Sequence, residues 1–233
     1  NWDKYKNQTN LYYKILPEEA YTFGADTWTI PKGELKTTAS VKIDLNKIEE
    51  VGSLYDDYVL PVRIASSTGE PMGQNKYTKV LAHIGFKNDY SGTYSGKGVI
   101  TQQGTTYTTE ITSTLLYAIN NNVCYMFVGE KTRANTQDYL NYVVEIERNE
   151  WGGIVLSSNV EGLQFKPYSA KLSRKYTYNY NDQRYYTEIT TIELAYEYLD
   201  STQGEPLMMS FEGTFSMSRD VLRVEYPDVD VEE

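Results

Sequence analysis

A single imidazole and a single thiol are all that this chain of 233 residues offers for nucleophile or soft-metal chemistry, His83 and Cys124. A general base needs a nucleophile and an orienting acid beside it, and a typical zinc site draws on several nitrogen or sulfur ligands. Neither set can be assembled from these residues. No G-x-S-x-G elbow, phosphate-binding loop or G-x-G-x-x-G run occurs. His83 lies opposite Val80, Ala82 and Ile84 in an alternating stretch and reads as a structural or solvated histidine. Cys124, between Val123 and Tyr125, reads as a small buried hydrophobe. Carboxylates remain. Glu18-Glu19 and Asp56-Asp57 are adjacent, so an extended chain points each pair apart. Glu193 and Glu197 share a strand face at about 13 Å, beyond the ~5–9.5 Å of glycosidase carboxyl pairs. The tail Asp228–Glu233 lacks the glycine and spacing of a calcium loop. The expectation is therefore no catalytic residue, no metal ligand set and no cofactor.

The chemistry that is abundant is aromatic: the chain holds 23 Tyr against 6 Phe. Residues 174–190 read RKYTYNYNDQRYYTEIT. Tyr176, Tyr178 and Tyr180 are spaced by two, so an extended chain puts them on one face, with Tyr185 or Tyr186 across from them on a partner strand. The opposite face, Lys175, Thr177 and Asn179, is polar. Such a stripe can fill a core, its hydroxyls paired. It can also stand at the wet tip of a hairpin as a platform on which sugar rings stack through their C–H faces. Asn181, Asp182 and Arg184, with Asn179, would then bond the sugar hydroxyls. Both readings stay open at this stage.

The elements that must hold these residues read as strands. Trp28 and Ile30 share a face before a turn at Pro31-Lys32-Gly33, with proline at the second turn position. Val41, Ile43 and Leu45 alternate with polar residues. Residues 46–57 are acidic and read as a loop or one helical turn, and a further short turn is expected around Asp3–Gln8. In YVLPVRI the proline, Pro61, cannot donate to a ladder, which predicts an edge strand or a bulge. Residues 66–76 read as a long loop, and YTKVLAHIGF, with Val80, Ala82, Ile84 and Phe86 on one face, closes the first domain near Asn88. Strand upon strand follows. Gln102-Gln103-Gly104 and Asn120-Asn121-Asn122 are turns, and Tyr107, Ile111, Leu115 and Tyr117 share a face between them. Leu140, Tyr142, Val144 and Ile146 alternate, the tyrosine hairpin spans about 171–199, and a last strand spans about 207–218. Tyr90-Ser91-Gly92-Thr93-Tyr94 on the first of these strands is echoed by Phe211-Glu212-Gly213-Thr214-Phe215 on the last. Matching bends on first and last strands suit a meander that closes on itself. The expected fold is all-β: an immunoglobulin-like sandwich over residues 1–88, followed by an eight-stranded antiparallel, lipocalin-like barrel over 89–233, with a two-sheet sandwich as the rival.

The net charge of −10 argues against nucleic acid and against a polybasic membrane contact. Asn7-Gln8-Thr9 matches a glycosylation sequon by pattern only. LPEEAYTF (16–23), WTIPKGE (28–34), VKIDLNKI (41–48) and YVLPVRI (58–64) resemble the immunoglobulin-like N-terminal domain of unknown function found in surface lipoproteins of gut Bacteroidota, over about the second half of that domain. The rest resembles, more weakly, the C-terminal β-barrel that accompanies it. The resemblance implies an exported, lipid-anchored cell-surface or outer-membrane protein linked to glycan capture or adhesion, with other outer-membrane glycan-uptake proteins as partners. The expected function is non-catalytic glycan binding. A small-ligand carrier using the barrel interior and a carboxylate-based glycoside hydrolase are the alternatives.

Overall fold

The computed structural model describes residues 13–68, 74, 78–133, 136, 138–202 and 204–232. The turn expected at Asp3–Gln8, the Asn7 sequon and most of the 66–76 loop lie outside the described residues. The chain divides into two compact units, residues 1–85 and 86–233.

The first unit carries two small sheets. Strand β1 (Tyr13–Ile15) pairs in parallel with β4 (Asp57–Arg63), which pairs antiparallel with β5 (Lys79–Ile84). Strand β2 (Tyr21–Phe23) pairs with β3 (Val41–Ile43). No strand forms at Trp28–Ile30; the ladder lies earlier, and Trp28 instead packs edge-on to Phe23 at 6.0 Å. In the following turn Glu34 N–H donates to Pro31 C=O and Gly33 takes φ +91°, so Pro31 holds the first position and not the second. The acidic run is helical: α1 (Leu45–Val51) is capped by Asp44, whose carboxylate accepts from Asn46 N–H, and its Ile48 is fully buried. Pro61 is not on an edge strand. It sits in the central strand β4, beyond the reach of β1, whose pairing stops at Val59, so on that side no ladder bond is asked of it.

The second unit is an eight-stranded, nearly closed antiparallel barrel. Its strands are β6 (Gly92–Gln102), β7 (Thr108–Ala118), β8 (Val123–Phe127), β9 (Val143–Arg148), β10 (Ile154–Ser157), β11 (Lys166–Tyr178), β12 (Tyr185–Asp200) and β13 (Leu207–Leu222). A short β14 (Val231–Glu232) pairs in parallel with β11. The sheet runs β10-β9-β8-β7-β6-β13-β12-β11, and the seam without a ladder is between β10 and β11. First and last strands close the circuit: β6 and β13 are paired over Met209–Ser216. The partner of Gly213 is Gly98, not Gly92, which pairs with Leu116. Both glycines of the Gly98–Gly213 pair leave room for the parallel rings of Phe211 and Phe215.

The period-two pattern is cleanest on β12, where Glu188, Thr190, Ile192, Leu194, Tyr196, Tyr198 and Asp200 are all buried. With Tyr94, Leu116, Met126, Ile146, Phe211 and Phe215 they fill the barrel interior with side chains. The stripe expected along β7 does not hold. Leu115 is exposed while Leu116 and Ala118 are buried, because Thr112 and Ser113, both exposed, reset the alternation opposite a bulge between Ser95 and Gly98.

Candidate functional site

Strand direction gathers the functional candidates. β6, β8, β10 and β12 begin, and β7, β9, β11 and β13 finish, at the same end of the barrel. The tyrosine hairpin tip, residues 179–184, is on this end.

The tyrosines divide by position. Tyr176 continues the inward row of β11, half-buried, and its hydroxyl donates to Glu188 Oε2 at 3.1 Å. Burial, with the Glu188 carboxylate, raises its pKa above the usual phenol range. Glu188 is wholly buried. Its Oε1 takes Arg219 Nε at 3.0 Å and Nη2 at 2.9 Å and the Thr190 hydroxyl at 3.2 Å. Both Glu188 oxygens are thus partnered, one step along the inward rows from the Tyr178–Tyr186 pair, as a polar floor beneath the mouth.

Above that floor stand Tyr178, 41% exposed, and its register partner Tyr186, with ring centroids 5.9 Å apart. The guanidinium of Arg223 lies 5.1 Å from the Tyr178 ring and 4.7 Å from the Tyr186 ring. Its Nε donates to Tyr185 C=O at 3.1 Å. Tyr226 packs on Tyr176 at 5.9 Å. The result is an aromatic platform around one fixed cation.

Tyr180 leaves the stripe. β11 ends at Tyr178, because the Asn179 side chain accepts from the backbone N–H of Asn181 at 2.9 Å and of Asp182 at 3.1 Å, which folds the chain over. Tyr180 is thereby 86% exposed at the tip, with Asn181 beside it. Asp182 and Arg184 satisfy one another: Nη2–Oδ2 is 2.6 Å and Nε–Oδ1 is 3.0 Å. Arg184 holds the Asp182 carboxyl down at about 2. The Arg184 guanidinium lies over Tyr185, 5.6 Å from its centroid. The structure thus brings Tyr176, Tyr178 and Tyr186 together, and places Tyr180, Asn181, Asp182, Arg184 and Tyr185 on the turn and its flank. Sequence reasoning missed Arg223, Tyr226, Glu188 and Arg219. A strand ended at 218 leaves Arg219 and Arg223 in a tail, whereas β13 runs to Leu222 and sets Arg219 opposite Glu188.

A second cation–aromatic cluster differs in one decisive respect. Arg133 lies 4.9 Å from the Tyr117 ring and 5.7 Å from the Tyr139 ring, and it donates to the Tyr125 hydroxyl, but it is 7% exposed. That cluster is interior packing; the Arg223 platform is open. The remaining candidates are also accounted for by neighbours. Glu193 and Glu197 face outward with Lys171 at 3.6 Å and Lys166 at 3.8 Å. Asp56 is buried with Lys14 at 2.7 Å. His83 is exposed, 3.9 Å from Asp57 and edge-on to Tyr13. Cys124 is buried; burial pushes its thiol up to about 11, against the pull of hydrogen bonds from Asn88 and Tyr90.

Comparison with known proteins adds the following. Residues 78–216 match a family model described as "-like, C-terminal", and residues 1–71 match one described as "-like, N-terminal domain". None of the curated proteins matches the chain. A protein of unknown function from Bacteroides ovatus is 20% identical with a TM-score of 0.78, over 99% of this chain and 77% of that one. A multidomain protein including DUF1735, also from Bacteroides ovatus, is 18% identical with a TM-score of 0.74, over 94% and 76%. An auxiliary nutrient binding protein from Bacteroides thetaiotaomicron VPI-5482 is 18% identical with a TM-score of 0.73, over 98% and 77%. At such identities the likeness is one of fold.

Proposed function

This chain belongs to the two-domain family defined by that N-terminal and C-terminal pair, and from that premise we propose that it is a non-catalytic binding protein of the cell exterior whose ligand is a glycan. The observation that carries the reading is the platform itself. Tyr178 and Tyr186 stand at the rim of a rigid barrel, and Arg223 is pinned against both rings. Exposed aromatic faces fixed on strands present apolar surface at small entropic cost, and their polar neighbours orient a ligand. The nutrient-binding role printed for the Bacteroides thetaiotaomicron neighbour supports a binding function. Export to the outer-membrane face, by a lipid anchor and beside other glycan-uptake proteins, is part of the same proposal and follows from the resemblance of residues 16–64 to surface lipoproteins. The filled interior favours the rim over a carrier cavity. The pairing of Glu193 and Glu197 with lysines, and of Glu188 with Arg219, favours binding over carboxylate hydrolysis. The same reading takes residues 1–88 as the immunoglobulin-like domain and 89–233 as the barrel domain that carries the ligand.

The experiment is a glycan-array screen of the whole chain, followed by incubation with each glycan retained. The expected result is capture of a related set of oligosaccharides with no released product. Turnover abolished by replacing one Asp or Glu would overturn the non-catalytic reading.

A further inference from the structure

We propose that the ligand of this platform bears a carboxylate, as a hexuronic acid does, and that Arg223 is the residue that reads it. The inference rests on the glycan reading above and specifies its chemistry. Its basis is the state of the cations around the barrel mouth. Arg184 is matched by Asp182 at 2.6 Å and Arg219 by Glu188 at 2.9 Å, while Arg174 reaches Asp89 through Nη1 at 3.6 Å with its Nε and Nη2 buried away from the surface and without a hydrogen-bond partner. Arg223 alone of these four has no carboxylate oxygen within 4.0 Å among the described residues. Its guanidinium donates one hydrogen bond, through Nε to Tyr185 C=O, and lies 5.1 and 4.7 Å from the centroids of two tyrosine rings.

An arginine held by its Nε and set close beside two aromatic rings keeps its two terminal nitrogens as a preorganised fork. That fork matches a planar carboxylate with two parallel bonds. A ligand ring on the open surface of Tyr178 brings a carboxylate attached to that ring beside the fork. Arg223 is thus a specificity-determining residue for the bound sugar. The chain's net charge of −10 works against long polyanions. Recognition is therefore of a single carboxylate at contact range, within the roughly 8 Å over which charges are felt at physiological salt.

The test is calorimetric titration of the whole chain with galacturonate and glucuronate trisaccharides and with their methyl esters. Wild type should bind at least one acid about tenfold or more tightly than its ester, the scale of one charge-assisted pair. Arg223→Gln should remove that preference, so that acid and ester bind this variant within about twofold of one another. Arg223→Lys, which keeps the charge but not the fork, should lose most of it. Unchanged melting temperatures for both variants separate recognition from folding. Equal affinity for acid and ester, or a preference that survives Arg223→Gln, overturns the inference. If the two forms bind equally and both are lost in Tyr178→Ala, the glycan platform stands and only the acidic specificity fails. If neither form binds, this inference fails; if the wild type also binds no neutral glycan of the array, the platform reading fails with it.

Discussion

Gly213→Ala tests the closure of the barrel at its tightest point. A Cβ at residue 213 would lie 2.6 Å from the Phe215 ring, 2.8 Å from the Phe211 ring and 2.9 Å from Gly98 Cα. Ordinary carbon–carbon separation is about 3.5–4.0 Å, so the methyl overlaps on three sides at once. None of the three can easily yield. Phe211 and Phe215 are 4% and 1% exposed and lie parallel, 6.2 Å apart. Gly98 is backbone of the paired strand β6. Overpacking of this kind costs about 1–3 kcal/mol, and relief of glycine's excess chain entropy returns about 0.5–1 kcal/mol. Three overlaps at once put the cost in the upper half of that range, about 2–3 kcal/mol, and with about 1 kcal/mol returned the net loss is about 1–2 kcal/mol for alanine and more for valine. For a protein of this size each kcal/mol moves Tm by roughly 2–4 °C, so a fall of about 2–8 °C is expected. Thermal unfolding followed by near-UV circular dichroism reads the tyrosines of the barrel directly. Gly162→Ala is the control, since a Cβ there meets nothing within 4 Å. A Gly213→Ala change within about 0.5 kcal/mol, the ordinary range for surface sites, would refute the reasoning that this glycine pair is what lets β6 and β13 approach under the rings.

Asp200→Asn should destabilise the chain at pH 7. Burial works against the Asp200 carboxylate, but its bonds to Lys131 and Thr202 outweigh burial and hold its pKa below the usual value. A depressed folded pKa contributes stability above the unfolded pKa and loses it as pH falls through the folded one. The gap between variant and wild type in urea melts should therefore close below about pH 4. A thiol pushed up to about 11 and fully buried should not react with a disulfide reagent in the native state at pH 8, and should react once the chain is unfolded. A fragment of residues 86–233 should unfold cooperatively on its own; a fragment that folds only when Lys79–Ile84 is included would assign that strand to the barrel.

What the sequence made legible was local periodicity, and what it hid was register. The row from Ile192 to Tyr198 alternates by type and is buried as it reads. Glu188 and Asp200 extend the same buried row as charges, and their partners are Arg219, across a strand pair, and Lys131, on a distant loop. No spacing rule connects such residues before the strands are aligned. The Gly-Thr echo pointed to the strands that close the barrel but not to the glycine that meets Gly213, because the β6–β13 register, continuous from Ser95 to Gln102, sets Gly98 and not Gly92 opposite it. Helix α1 was masked by its acidic residues, although Asp44 carried the capping signal. Pro61 misled because a strand can be central over one half and unpaired on one side over the other. In the site, parity placed Tyr176 and Tyr178 on one face correctly; the Asn179 turn then took Tyr180 away from them. Arg223 joins the tyrosines only because β13 runs on to Leu222.

The measurement that bears most directly on the platform is the affinity of Tyr178→Ala for the glycan retained by wild type, with the stability of both proteins measured in parallel. Tyr178 keeps 41% of its surface exposed. Its truncation should cost only about 1–2 kcal/mol of stability, well under the 3–5 kcal/mol of a buried aromatic. The glycan affinity should fall at least about tenfold, the loss of roughly 1.4 kcal/mol of stacking. An affinity unchanged by the substitution, or a stability loss of about 3 kcal/mol or more, would contradict the account and return the tyrosines to the core.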